Sequence, residues 1–436
     1  MTKTEFARRR RQLMRMIGKG GIAILPASPE KIRNRDTSYR YRQDSDFFYL
    51  TGFNEPEAVT VLVPGRVHAE YIMFCRERDP SRETWDGPRA GTDGAQAEYA
   101  ADDAFPIADI DEILPGLMEN CERVYYTMGA YPEFDQQVLG WFNGLRNRGQ
   151  SNELIPQEFV ALDHLLHDMR LYKSRSEIGA MRKAARITAK AHHKLMAACR
   201  PGKMEYELEA ELLHEFKRNG CDPSYQPIVG SGPNSCILHY VLNNRQMKDG
   251  EMLLVDAGCE YQGYASDITR TMPVSGRFSD EQKAIYEIVL EAQKAAIEKV
   301  SPSCHWNESH LAAVKTITRG LVRLGLLKGR VPTLIKKEAY KKFFMHRTGH
   351  WIGLDVHDVG DYRVHEEWRH LEAGMVLTVE PGIYVAPGTK GVAKKWWGIG
   401  VRIEDDVLVT KDGCEVLSRD LPKEVDEIEA LVGAYH

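Results

Sequence analysis

The chain has 436 residues, 43% of them hydrophobic and 28% charged, with 58 Lys+Arg against 63 Asp+Glu for a formal net charge of -5. That is enough chain for two or three ordinary domains, and it excludes a mostly disordered chain, a collagen-like chain and a small disulfide scaffold. The near-balanced charge lacks the basic bias of a dedicated nucleic-acid binder, and no apolar run approaches the ~18 residues of a membrane-spanning helix.

Residues 1–21 carry Arg8, Arg9, Arg10 and Arg11, and Arg15 and Lys19 interrupt the apolar stretch that a signal peptide would need. This segment reads as an amphipathic helix with a solvated basic face. Ile22-Ala23-Ile24-Leu25, stopped by Pro26, reads as a buried strand; residues 47–53, 58–63 and 70–75 read as three more. Strands alternating with helical stretches make residues 1–172 an α/β domain. The eight cysteines are scattered with no CxxC pair, which in a chain this long favours reduced thiols and a cytoplasmic setting.

A boundary near 171–173 precedes Ser174-Arg175-Ser176-Glu177, a capping box opening a long helix that Pro201-Gly202 ends. Further helices are expected over about 205–218, 280–300 and 308–324. The β-rich stretches between and after them hold the chemistry. Asp256 ends the apolar run Met252-Leu253-Leu254-Val255, and Asp267 follows eleven residues later. A hairpin turning between Tyr261 and Gln262 would set the two aspartates directly opposite, with Cβ atoms ~4.5–5.5 Å apart. Two like charges so placed call for a cation, unless they are separate solvated or capping aspartates. His346, His350 and His357 lie within twelve residues, flanked by glycines that argue against one continuous helix and so against an HExxH pair. Glu380 ends Leu377-Thr378-Val379 before Pro381-Gly382, and Glu404 interrupts the strand pattern of Gly400-Val401-Arg402-Ile403. Each acid alone could be an edge-strand carboxylate facing water. Together, four acids and one imidazole suit Mn(II) or a similar hard divalent ion better than a structural zinc. Four carboxylates would balance two divalent cations, a pair able to ready a hydroxide and polarise a carbonyl.

These motifs, Asp256 in VDAG, Asp267 in SDITRT, His350 in HWIGLDVHD, Glu380 in VEPGIY and Glu404 in VRIED, resemble in order those of the Xaa-Pro aminopeptidase (aminopeptidase P) family. The stretch 41–58, YRQDSDFFYLTGFNEPEA, is similar to the N-terminal domain of its bacterial members, so the resemblance covers nearly the whole chain. It implies an α+β chain: an α/β domain over 1–172, then a pita-bread metallopeptidase domain over 173–436, a curved antiparallel sheet covered by helices. It implies a metal-dependent aminopeptidase that removes the first residue of peptides with proline second. Two divalent ions, Mn2+ by expectation, would be held by Asp256, Asp267, His350, Glu380 and Glu404. His239 would lie at the scissile bond, His357 would steady the tetrahedral intermediate, and Glu380 would accept a proton. His346, Tyr384 and Arg402 would line the prolyl pocket or support the metal centre. Asp256 or Asp36 would receive the substrate's amine, and Trp85 would close a neighbouring subunit's cleft in a dimer or homotetramer. Prolidase, confined to dipeptides, is the close rival; a non-catalytic pita-bread binding protein is the reading from a different class. Peptides, and neither nucleic acid nor membrane, are the expected partners.

Overall fold

The computed structural model describes residues 1–147 and 154–433. A division between Arg170 and Leu171 separates two compact units.

The first unit is built on a six-stranded mixed sheet. Its order across the sheet is Asp103–Pro106, Tyr71–Cys75, Val59–Leu62, Gly21–Pro26, Arg123–Tyr125 and Glu158–Val160. The strands expected at 22–25, 58–63 and 70–75 are present, with apolar runs buried on both faces as helix-covered sheets require. The run 47–53 is not a strand. Ser45–Thr51 is a helix, because Asp44 accepts from the backbone N–H groups of Asp46 and Phe47 at 3.0 Å each and Gly52 closes it at φ 68°. A short apolar run does not reveal its period, and here the cap decides. The basic face of Lys3–Ile17 is also only half solvated. Arg9 and Arg10 are buried, and their guanidinium groups donate to the carbonyls of Tyr49 and Leu50 at 2.9 and 2.8 Å, near the C-terminus of that helix. Those carbonyls lack helical partners, and a cation there also meets the negative end of the helix dipole.

Among the described residues of the second unit every strand pair is antiparallel, and the strands are flanked by the long helices Arg175–Ala198, Glu205–Arg218, Asp280–Ile297 and Trp306–Arg323. Ser174 and Ser279 cap the first and third through reciprocal bonds with Glu177 and Gln282. Strand Met252–Asp256 lies between Ile228–Ser231 and Thr269–Pro273; Val376–Val379 pairs with Asp405–Val409; Gly382–Val385 pairs with Ile399–Arg402. Helices of the second pair bury Ile285, Val289, Val314 and Ile317 in one apolar core with Leu377, Val379, Val401 and Val407. The strand ends bearing acids are therefore anchored from behind by apolar packing.

Candidate active site

Asp256 stands at the buried end of its strand, opposite Ile228 on one side and Thr269 on the other. It does not face Asp267. The turn lies one residue further on than the sequence suggested: Glu260 pairs with Ala265 and Tyr261 with Tyr264, around Gln262 at φ 53° and Gly263 at φ 85°. Two consecutive positive φ values make the hairpin turn whose twist matches its strands. Asp267 sits beyond the short strand, where the backbone bends back. A Cβ on Gly258 would stand 1.7 Å from the Ser266 carbonyl oxygen, so only glycine permits this approach. The two aspartates still converge, each with one oxygen 2.5 Å from the Tyr225 hydroxyl.

The other donors come from separate segments. The backbone of 348–350 runs beside 378–380: the His350 N–H donates to Thr378 Oγ1 (3.1 Å), the Thr378 N–H to the His350 carbonyl (2.9 Å), and the Glu380 N–H to the Thr348 carbonyl (2.8 Å). This ladder sets His350 Nε2 3.8 Å from Glu380 Oε1 and 3.4 Å from Asp267 Oδ2. Glu404 accepts from Thr269 Oγ1 at 2.6 Å, and its backbone carbonyl accepts from the buried Arg270 guanidinium at 2.7 Å. Arg270 is neutralised by Asp405 (2.7 Å), whose carboxylate Arg270, Lys423 and hydrogen bonds hold below the usual range despite burial. Asp267, His350 and Glu404 offer ligand atoms all within 4.8 Å of one another.

These five residues face a cavity of about 840 Å³, together with His239, His346, His357 and Arg402. The His357 ring stands edge-on to His350, centroids 4.3 Å apart. Arg402 donates to Asp256 Oδ2 (2.5 Å) and to the Tyr384 hydroxyl (2.9 Å). His346 Nδ1 lies 2.7 Å from the Arg347 carbonyl, which makes that nitrogen the donor. Its Nε2 then accepts from Tyr384 Oη at 2.9 Å, completing a directed chain from Arg402. Burial, with Arg402 nearby, lowers the His346 pKa to about 3, so the ring is neutral. Each Asp256 oxygen accepts one hydrogen bond, and lone pairs remain on both for a cation. Asp36 lies in the exposed turn between Ile32–Asn34 and Thr37–Ser38 of the first unit, and Trp85, 86% exposed, lies on its helix Pro80–Asp86. Neither is among the residues lining this cavity.

The donor set fits divalent metal ions on two observations. The Tyr225 hydroxyl has one proton for two carboxylate oxygens at 2.5 Å, so one short oxygen–oxygen contact lacks a donor. His350 Nδ1 lies 2.9 Å from the Trp351 carbonyl and donates to it, which turns Nε2 toward two carboxylates, to give them a proton as imidazolium or a cation its lone pair as the neutral ring. A positive charge between these atoms relieves both. The protein's own charges confirm the strain. Burial, then mutual repulsion, pushes Glu404 above the usual carboxylate range; burial raises Asp256 against the opposing charge of Arg402 and lifts Glu380 to about 7. Asp267 moves the other way: burial would raise it, but the hydrogen bond and charge of His350 hold it down. Burial would lower His350, yet Asp267 and Glu380 raise it to about 9.

The sequence did not single out Tyr225, Thr269, Arg270 or Asp406. Asp406 Oδ2 accepts from the Asp267 N–H at 3.2 Å, and burial beside Asp267 raises its pKa well above the carboxylate range. Acids or hydroxyls beside the motif acids were the only available signal for Thr269 and Asp406. Tyr225, in an irregular stretch, gives none.

A fold of paired antiparallel strands under helices, with an oxygen-rich donor set and one imidazole at the floor of a cavity, defines a metallopeptidase. The chain belongs to metallopeptidase family M24, whose description matches residues 179–411, and residues 6–125 match the aminopeptidase P N-terminal domain. It is 45% identical over 436 residues to the Xaa-Pro aminopeptidase of Escherichia coli (strain K12), covering 100% of this chain and 98% of that protein. The solved structure of Pseudomonas aeruginosa aminopeptidase PepP is 62% identical, covers 100% of this chain and 98% of its own, and superposes with a TM-score of 0.98. Zn-substituted E. coli aminopeptidase P in complex with product is 45% identical, with 100% and 99% covered and a TM-score of 0.97. The fold is thus the α+β pita-bread fold preceded by an aminopeptidase P N-terminal domain.

Proposed function

We propose that this chain is a metal-dependent Xaa-Pro aminopeptidase, hydrolysing the bond between the first residue of a peptide and a proline at position two. The observation that carries this reading is the convergence of Asp256, Asp267, His350, Glu380 and Glu404 at one end of a cavity that also holds three further histidines. Two divalent cations held by those five residues supply electrophilic polarisation of a carbonyl and acidify water when bound. The hard oxygen set with a single imidazole supports manganese.

The remaining chemistry falls to side chains. A water at the cavity floor attacks the carbonyl carbon of the first residue, and Glu380 takes its proton. Glu380 suits that exchange because its side chain is 18% exposed to the cavity, against 12% for Asp256 and 8% for Asp267. His357 and His239, both exposed in the cavity, donate to the developing oxyanion and attend the scissile bond. The leaving group is a tertiary amide nitrogen, which carries no N–H and must gain a proton to depart. Glu380 returns the proton it took. The neutral His346, with Tyr384 and Arg402, forms a wall whose polar groups already satisfy one another, suited to an apolar ring.

Amine recognition by Asp256 or Asp36, closure of a neighbouring cleft by the exposed Trp85, a dimer or tetramer, and a cytoplasmic setting rest on the family resemblance and belong to the same proposal. Among the described residues no helix is long and apolar enough to cross a membrane. The test offers Gly-Pro and Arg-Pro-Pro to the manganese-supplemented protein. Release of arginine from the tripeptide is expected; activity confined to Gly-Pro would make the chain a prolidase, and no cleavage with no bound metal would favour a binding protein.

A further inference from the structure

The floor and the rim of the cavity carry opposite chemistry. The floor gathers carboxylates; the rim presents Arg347 and Arg363, whose guanidinium carbons lie 5.2 and 4.2 Å from the centroid of the same Trp368 ring. Arg363 and Trp368 are cross-strand partners in a two-stranded hairpin, Arg363–Val364 with Glu367–Trp368. Its turn residues His365 and Glu366 stand at φ 49° and 67°, the tight turn that keeps such a short hairpin in register. Behind it, Tyr362 stacks on Trp351 with ring planes 8° apart and meets Trp306 at 4.5 Å, so the hairpin rises from a rigid aromatic base.

Arg347 donates to the neutral Asn307 side chain at 2.6 Å, and Arg363 contacts the indole; among the described residues neither forms an ion pair, although Asp361 lines the same rim. Both arginines are exposed and Trp368 is half-buried. An aminopeptidase that releases one residue places the substrate's first residue at the carboxylate floor. The chain beyond the proline then leaves across the exposed rim, and the first groups free to reach that rim belong to the third residue.

The geometry points to Arg347, Arg363 and Trp368 as a subsite for the substrate's third residue that selects a carboxylate there. This rests on the aminopeptidase reading above and specifies which of its substrates are preferred. A planar carboxylate can accept from two guanidinium groups while the indole receives the methylene stem. A lysine at the same position meets two like charges. The carboxylate can come from a Glu or Asp side chain or from the C-terminus of a tripeptide.

The experiment measures kcat/KM on Ala-Pro-Glu-amide, Ala-Pro-Lys-amide, Ala-Pro-Ala-amide and free Ala-Pro-Ala with the manganese-loaded protein. Glu should exceed Lys by about tenfold, about threefold for each exposed guanidinium, and the ratio should shrink with added salt. Preference for free Ala-Pro-Ala over its amide assigns the C-terminal source. Arg363→Ala with Arg347→Ala should bring the Glu-to-Lys ratio close to one, Arg363→Lys should retain most of it, and Arg363→Glu should reverse it. Equal ratios in the parent, or parental ratios in the variants, overturn the subsite while leaving the aminopeptidase reading intact. Failure of the parent to cleave any of the four peptides overturns that reading and the subsite with it.

Discussion

Gly349 precedes His350 and lies against the strand end that carries Glu380. A methyl placed on it would stand 2.0 Å from the Thr378 carbonyl oxygen and 3.0 Å from its carbon. An ordinary carbon–oxygen contact needs about 3.3 Å, so Gly349→Ala must part the two backbones by about 1 Å. The parted atoms are those of the ladder that sets His350 against Glu380. Overpacking of this kind costs about 1–3 kcal/mol, which lowers the melting temperature by roughly 2–4 °C per kcal/mol in a unit of this size. Displacing a ligand by about 1 Å costs on the order of a hundredfold in kcat/KM. The matched control is Gly179→Ala, the same chemical change on the exposed face of helix Arg175–Ala198, where a Cβ meets nothing within 4 Å. It should stabilise by about 0.5–1 kcal/mol and leave turnover unchanged. Thermal unfolding and Arg-Pro-Pro hydrolysis read both. Parental melting temperature and turnover in Gly349→Ala would refute the claim that this close approach positions His350.

Asp267→Ala should lose metal and nearly all activity, whereas His357→Ala should keep metal and lose turnover; metal analysis beside the peptide assay separates them. Tyr225→Phe removes the hydroxyl between Asp256 and Asp267, and manganese affinity by calorimetry should fall about 10–100-fold, the usual effect of removing a group that orients ligands. In the first unit, burial would raise Asp46, but Arg170 at 2.8 Å and His167 hold its pKa down; burial would lower His167, but Asp46 raises it. A depressed carboxylate stabilises above its unfolded pKa, and a raised histidine stabilises below its own. The stability lost in Asp46→Asn, about 2 kcal/mol by urea unfolding, should be greatest between about pH 4 and 6.5 and fade on both sides. A pH-independent difference would contradict the pairing.

Asp256, Glu380 and Glu404 were legible because each ends or interrupts an apolar strand pattern, a position costly for a lone charge, whereas Asp267 was legible only through its spacing from Asp256. Their convergence was legible only as a sum, since 256, 267, 350, 380 and 404 are joined by strand pairings that no local pattern reveals. The turn was misplaced by one residue at Gln262, and the partner of Asp256 by two, because a non-glycine seldom takes positive φ. Arg9 and Arg10 looked solvated because their partners, two carbonyls forty residues away, have no side-chain signature. Residues 47–53 looked extended because their apolar run hid the cap at Asp44. The rim of Arg347, Arg363 and Trp368 was invisible for a related reason: it is assembled across a hairpin whose strands are two residues long.

The proposed site uses strand-borne oxygens and one imidazole nitrogen to gather two cations. Calorimetric titration of chelator-treated protein with Mn2+ counts them. Two ions should bind per chain, with fewer or weaker ones in Glu404→Ala. No binding, or a stoichiometry indifferent to Glu404, would contradict it.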